Sequence, residues 1–203
     1  MDVAPPHHWV VRRPQQQPMK AIIADYIAKH REDAEKELRY FKIQRNLEDT
    51  VSLAALAKRP NGRRFSHQRR IPESVLRKVE KRLRAAIPTI RQAQSFEELH
   101  RIIEKELISI FGVGELMVYD TAVRIGAKLG LEPMEVFLHS GTRIGARNLG
   151  LNGGRRSIPV AEFPLPLQRL PAREIEDVLC IYKHALGKSR RTHSGFGHAP
   201  SCG

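Results

Sequence analysis

Residues 109–127, "SIFGVGELMVYDTAVRIGA", decide how the fold of this chain is interpreted. Gly112 and Gly114 flank a single valine, an apolar run "ELISIF" precedes them, and a long pattern with helical spacing follows. Glycine allows the tight turns that other residues resist. The stretch therefore predicts two helices joined by a short turn, a helix-hairpin-helix over about residues 95–129.

The rest of the chain also has helical spacing. Ser95 and Glu98 form the pattern of a capping box before an apolar stripe, and Gly130 follows the second hairpin helix at a C-cap position. Further helical patterns cover residues 19–47, 49–58 and the stretch after Pro72, the last with the apolar stripe Val75, Leu76, Val79, Leu83 and Ile87. Short helices are expected after Pro133 and over "SGTRIGARNLGL", then an irregular span from Gly153 and a last helix "AREIEDVLCIYKHALG". No alternating strand pattern is found, so the sequence predicts an all-α, multi-helix domain.

Proline and charge patterns divide the chain into three parts. Residues 1–17 are rich in Pro and Gln and are expected to be a flexible N-terminal segment. Residues 18–187 are expected to form a single helical domain, and residues 188–203 a disordered basic tail.

Charge is the strongest feature of the composition. The 203 residues include 35 Lys and Arg against 22 Asp and Glu, which gives a net charge of +13 and a pI near 10.3. Such a field attracts polyanions. DNA is the expected partner, with RNA as an alternative.

Membrane and disulfide classes are disfavoured. No run approaches the roughly 18 apolar residues of a transmembrane helix, and the N-terminal residues lack the order of a secretory signal. The two cysteines, Cys180 and Cys202, make neither a disulfide framework nor a zinc set, and the histidines have no metal-ligand spacing. We expect a cytoplasmic protein with no metal and no cofactor.

The Gly112-Val113-Gly114 turn has two interpretations. Glycines let the backbone come close to a phosphate, and successive N–H groups at a helix N-terminus attract anions. Val113 would then face the core. The alternative is an ordinary turn between two core helices. Glu115 disfavours phosphate binding unless its carboxylate points away or binds another group.

Two further groups of arginines are candidates for contacts with nucleic acid. The loop "GRRFSHQRR" has no acid and contains Arg63, Arg64, Arg69 and Arg70. Arg143 and Arg147 are four residues apart on one predicted helix face. Arginine suits bidentate phosphate contacts, whereas the alternative is a charged, solvated surface.

Residues 95–151 resemble the helix-hairpin-helix region of the DNA glycosylase superfamily, especially the branch that excises alkylated bases. That family places a catalytic aspartate in the loop after an apolar pair, and its bifunctional members have a lysine two positions after the second hairpin glycine. Here Phe137-Leu138 is followed by His139-Ser140-Gly141, and Leu116 stands at the lysine position. The resemblance therefore implies the DNA-binding part of the function without its usual catalytic pair.

Two other residues are candidates for chemistry. His139 stands where that family keeps its aspartate, and histidine exchanges protons near neutral pH; its alternative role is to cap the helix from Thr142. Asp120 lies in an otherwise apolar helix, either as an acid or base near His139 or in an ion pair with Arg124 at i+4.

Three functions remain open from the sequence. The favoured one is DNA binding through sequence-independent backbone contacts. The second is a diverged base-excision DNA glycosylase or nuclease that uses His139 or Asp120. The third is a helical protein-interaction module whose hairpin only turns the chain.

Overall fold

The structure is a computed structural model that describes residues 16–186. The predicted disordered tail, 188–203, lies outside these residues, and so does most of the predicted flexible segment, 1–17. Residues 16 and 17 already belong to the first helix. In the described part, helices form the framework, which confirms the predicted all-α, multi-helix fold.

The first helix is long and contains one irregular turn. Helix α1 (Gln16–Tyr26) continues through a π-helical turn, Ile27–Arg31, into α2 (Glu32–Lys42). We predicted this helix to residue 47, but it ends at Lys42, because Asn46 caps the next helix, α3 (Leu47–Ala55). The Asn46 side chain accepts a hydrogen bond from the Asp49 amide at 2.7 Å, as an N-cap residue does.

The middle of the chain forms four helices: α4 (Glu73–Ala85), the single turn α5 (Ile87–Ile90), α6 (Phe96–Leu107) and α7 (Glu115–Leu129). Ser95 caps α6 as predicted, since its hydroxyl accepts from the Glu98 amide at 3.1 Å. The Glu98 carboxylate accepts from the Gln94 amide, one residue before the position that a capping box uses. Gly130 ends α7 with φ +74°, as expected of a glycine C-cap.

The prediction of a short helix after Pro133 was wrong. Strand β1 (Glu135–Phe137) lies there and pairs antiparallel with β2 (Ser157–Pro159), with Val136 opposite Ile158. Three-residue strands are too short to show alternation in the sequence. After the sheet's first strand comes α8 (Ser140–Asn148), and α9 (Ala172–Ile181) is the last described helix.

The buried side chains form two hydrophobic clusters on either side of β1. One lies beneath α2 to α7 and includes Phe137, and the other joins α1, the sheet, α8 and α9 and includes Val136. Successive strand residues point to opposite faces, so this strand contributes to both clusters. Among residues 16–186, the structure contains no helix with the length and apolar character needed to span a membrane.

Candidate nucleic-acid interface

The turn between α6 and α7 has the conformation for which glycine is suited. Gly112 has φ +93°, and the Val113 amide donates to the Ile110 carbonyl at 3.0 Å. A Cβ added at Gly112 would lie 3.7 Å from the nearest methyl of Val75, which is ordinary contact. The positive φ, and not lack of space, therefore requires glycine here. Val113 packs against the core, as predicted.

Several backbone amides at this turn are available to a ligand. Gly114 is the N-cap of α7 in an extended conformation, and no side chain caps the helix. Within the described residues, no hydrogen-bond acceptor contacts the N–H groups of Gly112, Gly114, Glu115 or Leu116. These donors lie at the positive end of the dipole of a 15-residue helix. The arrangement suits an anion such as phosphate.

The Glu115 carboxylate does not leave an uncompensated negative charge beside these amides. It lies 2.8 Å from a guanidinium nitrogen of Arg143. Arg143 also donates to the carbonyls of Gly153 and Arg155, at 3.0 and 2.7 Å. The pairing removes the objection that the sequence raised. It also engages Arg143, a predicted phosphate contact, while Arg147 is exposed.

The basic loop presents three of its four candidate arginines to solvent. Arg63, Arg69 and Arg70 are exposed and have no acidic partner within 4 Å among residues 16–186. Arg64 is held differently, because it donates to the Ile71 carbonyl at 2.6 Å and lies 3.5 Å from Glu73. Arg64 therefore has a structural role in the loop, and the other three are free to bind.

The end of this loop is held close to the hairpin at two points. The Gln68 amide nitrogen lies 2.5 Å from an Asp120 oxygen on α7, and Val75 lies beside Gly112. Arg69 and Arg70 lie between these two contacts in the chain. The backbone that carries these two exposed arginines is thus held near α7 at one end and near Gly112 at the other.

A cleft of about 150 Å³ that is lined in part by charged side chains opens next to this surface. It lies among α2, the end of the basic loop, α7 and α9. The charged side chains that line it are Glu37, His67, Asp120, Arg124, Arg173, Glu176 and Asp177.

Asp120 is an ionised carboxylate within this cleft. His67 Nδ1 lies 3.6 Å from it, and Arg124 lies 3.8 Å from it, which is the predicted i+4 ion pair. Burial alone would raise the pKa of Asp120, but the neighbouring His67, the charge of Arg124 and the hydrogen bond from Gln68 together hold it below its usual value. The same contact with Asp120 raises the pKa of His67.

Two buried polar atoms of the cleft lining are unpaired. Arg124 donates to Glu37 at 3.0 Å and stacks 4.0 Å from the ring centre of Phe65, yet its Nη1 has no partner in the described part of the chain. The hydroxyl of Tyr119 is also without one there. Buried polar atoms are nearly always hydrogen-bonded. Arg124 and Tyr119 are therefore the two described residues of the cleft lining with unsatisfied buried polar atoms.

His139 lies in a separate, buried position. It is the N-cap of α8, and its backbone N–H donates to the Thr142 hydroxyl at 2.7 Å. Its Nε2 is hydrogen-bonded to a carboxylate oxygen of Glu176 on α9, and its Nδ1 has no partner within residues 16–186. His139 and Asp120, which the alternative interpretation of Asp120 placed near each other, form no ion pair or hydrogen bond within residues 16–186. His139 is not among the residues that line the cleft.

The sequence analysis missed His67, Glu176 and Cys180 as parts of these sites. His67 reaches Asp120 across 53 positions and Glu176 reaches His139 across 37, so chain spacing held no signal for either contact. The sequence did indicate that Glu176 and Cys180 lie together, since residues four apart in a helix share one face.

The function of this chain is inferred from the geometry of the hairpin, the basic loop and the cleft. No protein-family model matches this chain, and no curated protein or solved structure is significantly similar to it.

Proposed function

We propose that this chain binds duplex DNA through sequence-independent contacts to the phosphate backbone. The N–H groups at the tip of the α6–α7 hairpin would bind one phosphate, and Arg69 and Arg70 would bind neighbouring phosphates. Contacts of this type hold the backbone and read no bases.

One observation carries the proposal. The amides of Gly112, Gly114, Glu115 and Leu116 have no acceptor within the described chain, and the nearby carboxylate of Glu115 is neutralised by Arg143. The net charge of +13 adds long-range attraction for DNA.

An exposed aromatic side chain lies at the same tip. Phe111 directly precedes Gly112 and is 98% exposed. Aromatic side chains stack on bases, and apolar side chains can enter the base stack of a duplex. Phe111 is placed to make such a contact while the adjacent amides bind phosphate.

The proposal is tested by replacing Arg69 and Arg70 together with glutamine. Each phosphate contact changes the slope of log affinity against log salt by about 0.9. We therefore expect the double variant to bind a duplex more weakly and with a slope smaller by about 2.

The matched control is the double replacement of Arg82 and Arg84 by glutamine. Both residues are exposed near the end of α4, while Val75, near its start, contacts the hairpin. The nine residue steps from Val75 to Arg84 span about 14 Å of helix. Because both double variants lose two charges, an equal loss of affinity would show that only net charge matters and would contradict the proposed surface.

A second candidate function is a hydrolase that acts on nucleic acid in the cleft. The observation that favours it is the contact of His67 with the Asp120 carboxylate, at 3.6 Å, in a cleft whose lining has two unpaired buried polar atoms. In this hypothesis Asp120 would accept a proton from the attacking water, and Arg124 would stabilise developing negative charge.

The second candidate is tested with Asp120→Asn. Wild-type protein is incubated with intact, alkylated and abasic duplexes, and the products are separated on denaturing gels. The hydrolase hypothesis expects cleavage or base release by the wild type and a loss of at least about 100-fold in the variant. Equal product from both proteins would eliminate Asp120 as the catalytic group.

A further inference from the structure

Three side chains with metal-binding atoms meet between α8 and α9. One ligand atom each from His139, Glu176 and Cys180 lies within 4.8 Å of the other two. His139 is 2% exposed and Glu176 is 6% exposed, so two of the three are buried. The spacing of these residues along the chain does not indicate a metal site, because His139 lies 37 positions before Glu176.

The backbone holds these three side chains firmly. Thr142 fixes the backbone of His139, since its hydroxyl accepts from the His139 N–H and donates to the His139 carbonyl at 2.9 Å. Glu176 and Cys180 project from one face of α9. Ligands on rigid elements are suited to a defined coordination geometry.

Two glycines allow α8 to lie close enough to α9 for the three side chains to meet. A Cβ added at Gly141 would lie only 2.8 Å from the Cys180 sulfur, and one added at Gly145 would overlap the backbone of Leu179. Any larger residue at position 141 would thus displace the sulfur or the helix.

The electrostatics of the cluster favour a cation. Glu176 and Asp177 are adjacent on α9, and Asp120 lines the same cleft from α7. Carboxylates in a buried site are stabilised by a neighbouring positive charge. His139 Nδ1 is also buried without a hydrogen bond to any described residue.

We propose that His139, Glu176 and Cys180 bind one Zn²⁺ ion or a similar divalent transition metal. Imidazole, carboxylate and thiolate are all ligands of zinc, and three protein ligands leave a fourth position for water. On binding, the metal would replace the hydrogen bond between His139 and Glu176 and displace the thiol proton of Cys180. Because Glu176 also lines the cleft, the fourth position would be near it.

The test uses cobalt as a spectroscopic probe in the full chain. The chain has two cysteines, so replacing Cys202 with serine leaves Cys180 as its only thiol. His193 and His198 are replaced with asparagine in the same variant, so that their imidazoles do not bind the added metal. We expect this triple variant to bind one equivalent of Co²⁺ with a thiolate-to-cobalt charge-transfer band, and Zn²⁺ to displace the cobalt. Absence of the band at one equivalent of Co²⁺ would overturn the proposal.

Single replacements then identify the ligands. In the same background, Cys180→Ser should abolish the charge-transfer band, and His139→Gln or Glu176→Gln should weaken Zn²⁺ binding by at least about tenfold. His184→Gln is the control, since His184 is exposed after α9 and should leave metal binding unchanged. Circular dichroism checks that each variant is folded. Equal zinc affinity in folded Glu176→Gln and His184→Gln variants would show that Glu176 is not a ligand.

Discussion

Replacing Gly112 with alanine separates the phosphate-binding role of the hairpin from its role as a turn. Gly112 has φ +93°, whereas an added Cβ would meet only ordinary contacts with Val75. The cost to folding is therefore backbone strain alone, about 1–2 kcal/mol. For a chain of this size, that lowers Tm by about 2–8 °C.

The effect on DNA binding should be larger than this strain alone would suggest. Relief of the strain turns the peptide planes around Gly112 and directs its N–H away from the phosphate. A hydrogen bond to a charged group contributes about 1.5–3 kcal/mol. Loss of one such contact would weaken binding by about one to two orders of magnitude.

Gly130→Ala is the control with matched strain. Gly130 has φ +74° and free space around its Cβ position, and it ends α7. The 15 residues of that helix place it about 22 Å from the hairpin. Tm is measured by calorimetry and affinity by fluorescence anisotropy on a labelled duplex. We expect both variants to lose similar stability and only Gly112→Ala to lose affinity, so equal affinities would refute the proposed phosphate contact.

Gly114→Leu complements this pair without backbone strain. Gly114 has φ −114°, which any residue adopts, and no atom lies within 4 Å of an added Cβ. The leucine side chain would occupy the space in front of the α7 amides. We expect a small change in Tm, since an unfavourable N-cap costs about 1 kcal/mol, and a marked loss of DNA affinity.

Four further results are expected. Phe111→Ala should leave Tm unchanged and weaken duplex binding by about 1–3 kcal/mol, and a duplex with a fluorescent base analogue reports whether stacking is lost. Asp120→Asn should lower the pKa of His67, because the contact with Asp120 raises it; an NMR titration of the histidine ring that shows no change would contradict the pairing. The contact with Asp120 raises the pKa of His67 above its ordinary value of 6.5, so it stabilises the fold fully below that pH. This stability is lost as pH rises through the folded pKa of His67, so the Tm difference between wild type and His67→Gln should shrink over that rise. Gly145→Ala should destabilise the protein by about 1–3 kcal/mol in urea unfolding, because its Cβ would overlap the Leu179 backbone.

Local sequence signals predicted most of the helical framework. Ser95 and Gly130 set the ends of the hairpin helices through hydrogen bonding and a positive φ, and both effects depend on neighbouring residues only. The short strand at Glu135–Phe137 was missed because three residues carry no readable period. The early end at Lys42 was missed because Asn46, the cap of the next helix, was not considered in the sequence.

The sites were less predictable than the fold, since they depend on contacts between distant parts of the chain. The Asp120–Arg124 ion pair was predicted because both residues lie on one helix face. The contacts of Asp120 with His67 and of His139 with Glu176 required the packing of α7 and α9, which one sequence does not determine. Likewise, the neutralisation of Glu115 by Arg143 depends on how α8 packs near the hairpin.

The most direct test of the central claim is an amide NMR titration with a short duplex of arbitrary sequence. Hydrogen bonding to phosphate shifts an amide proton downfield. The account predicts saturable downfield shifts for Gly112, Gly114 and Leu116, with Gly130 unchanged, and reversal at high salt. If DNA binds while the hairpin amides stay at their free positions, the claim that this turn binds phosphate is contradicted.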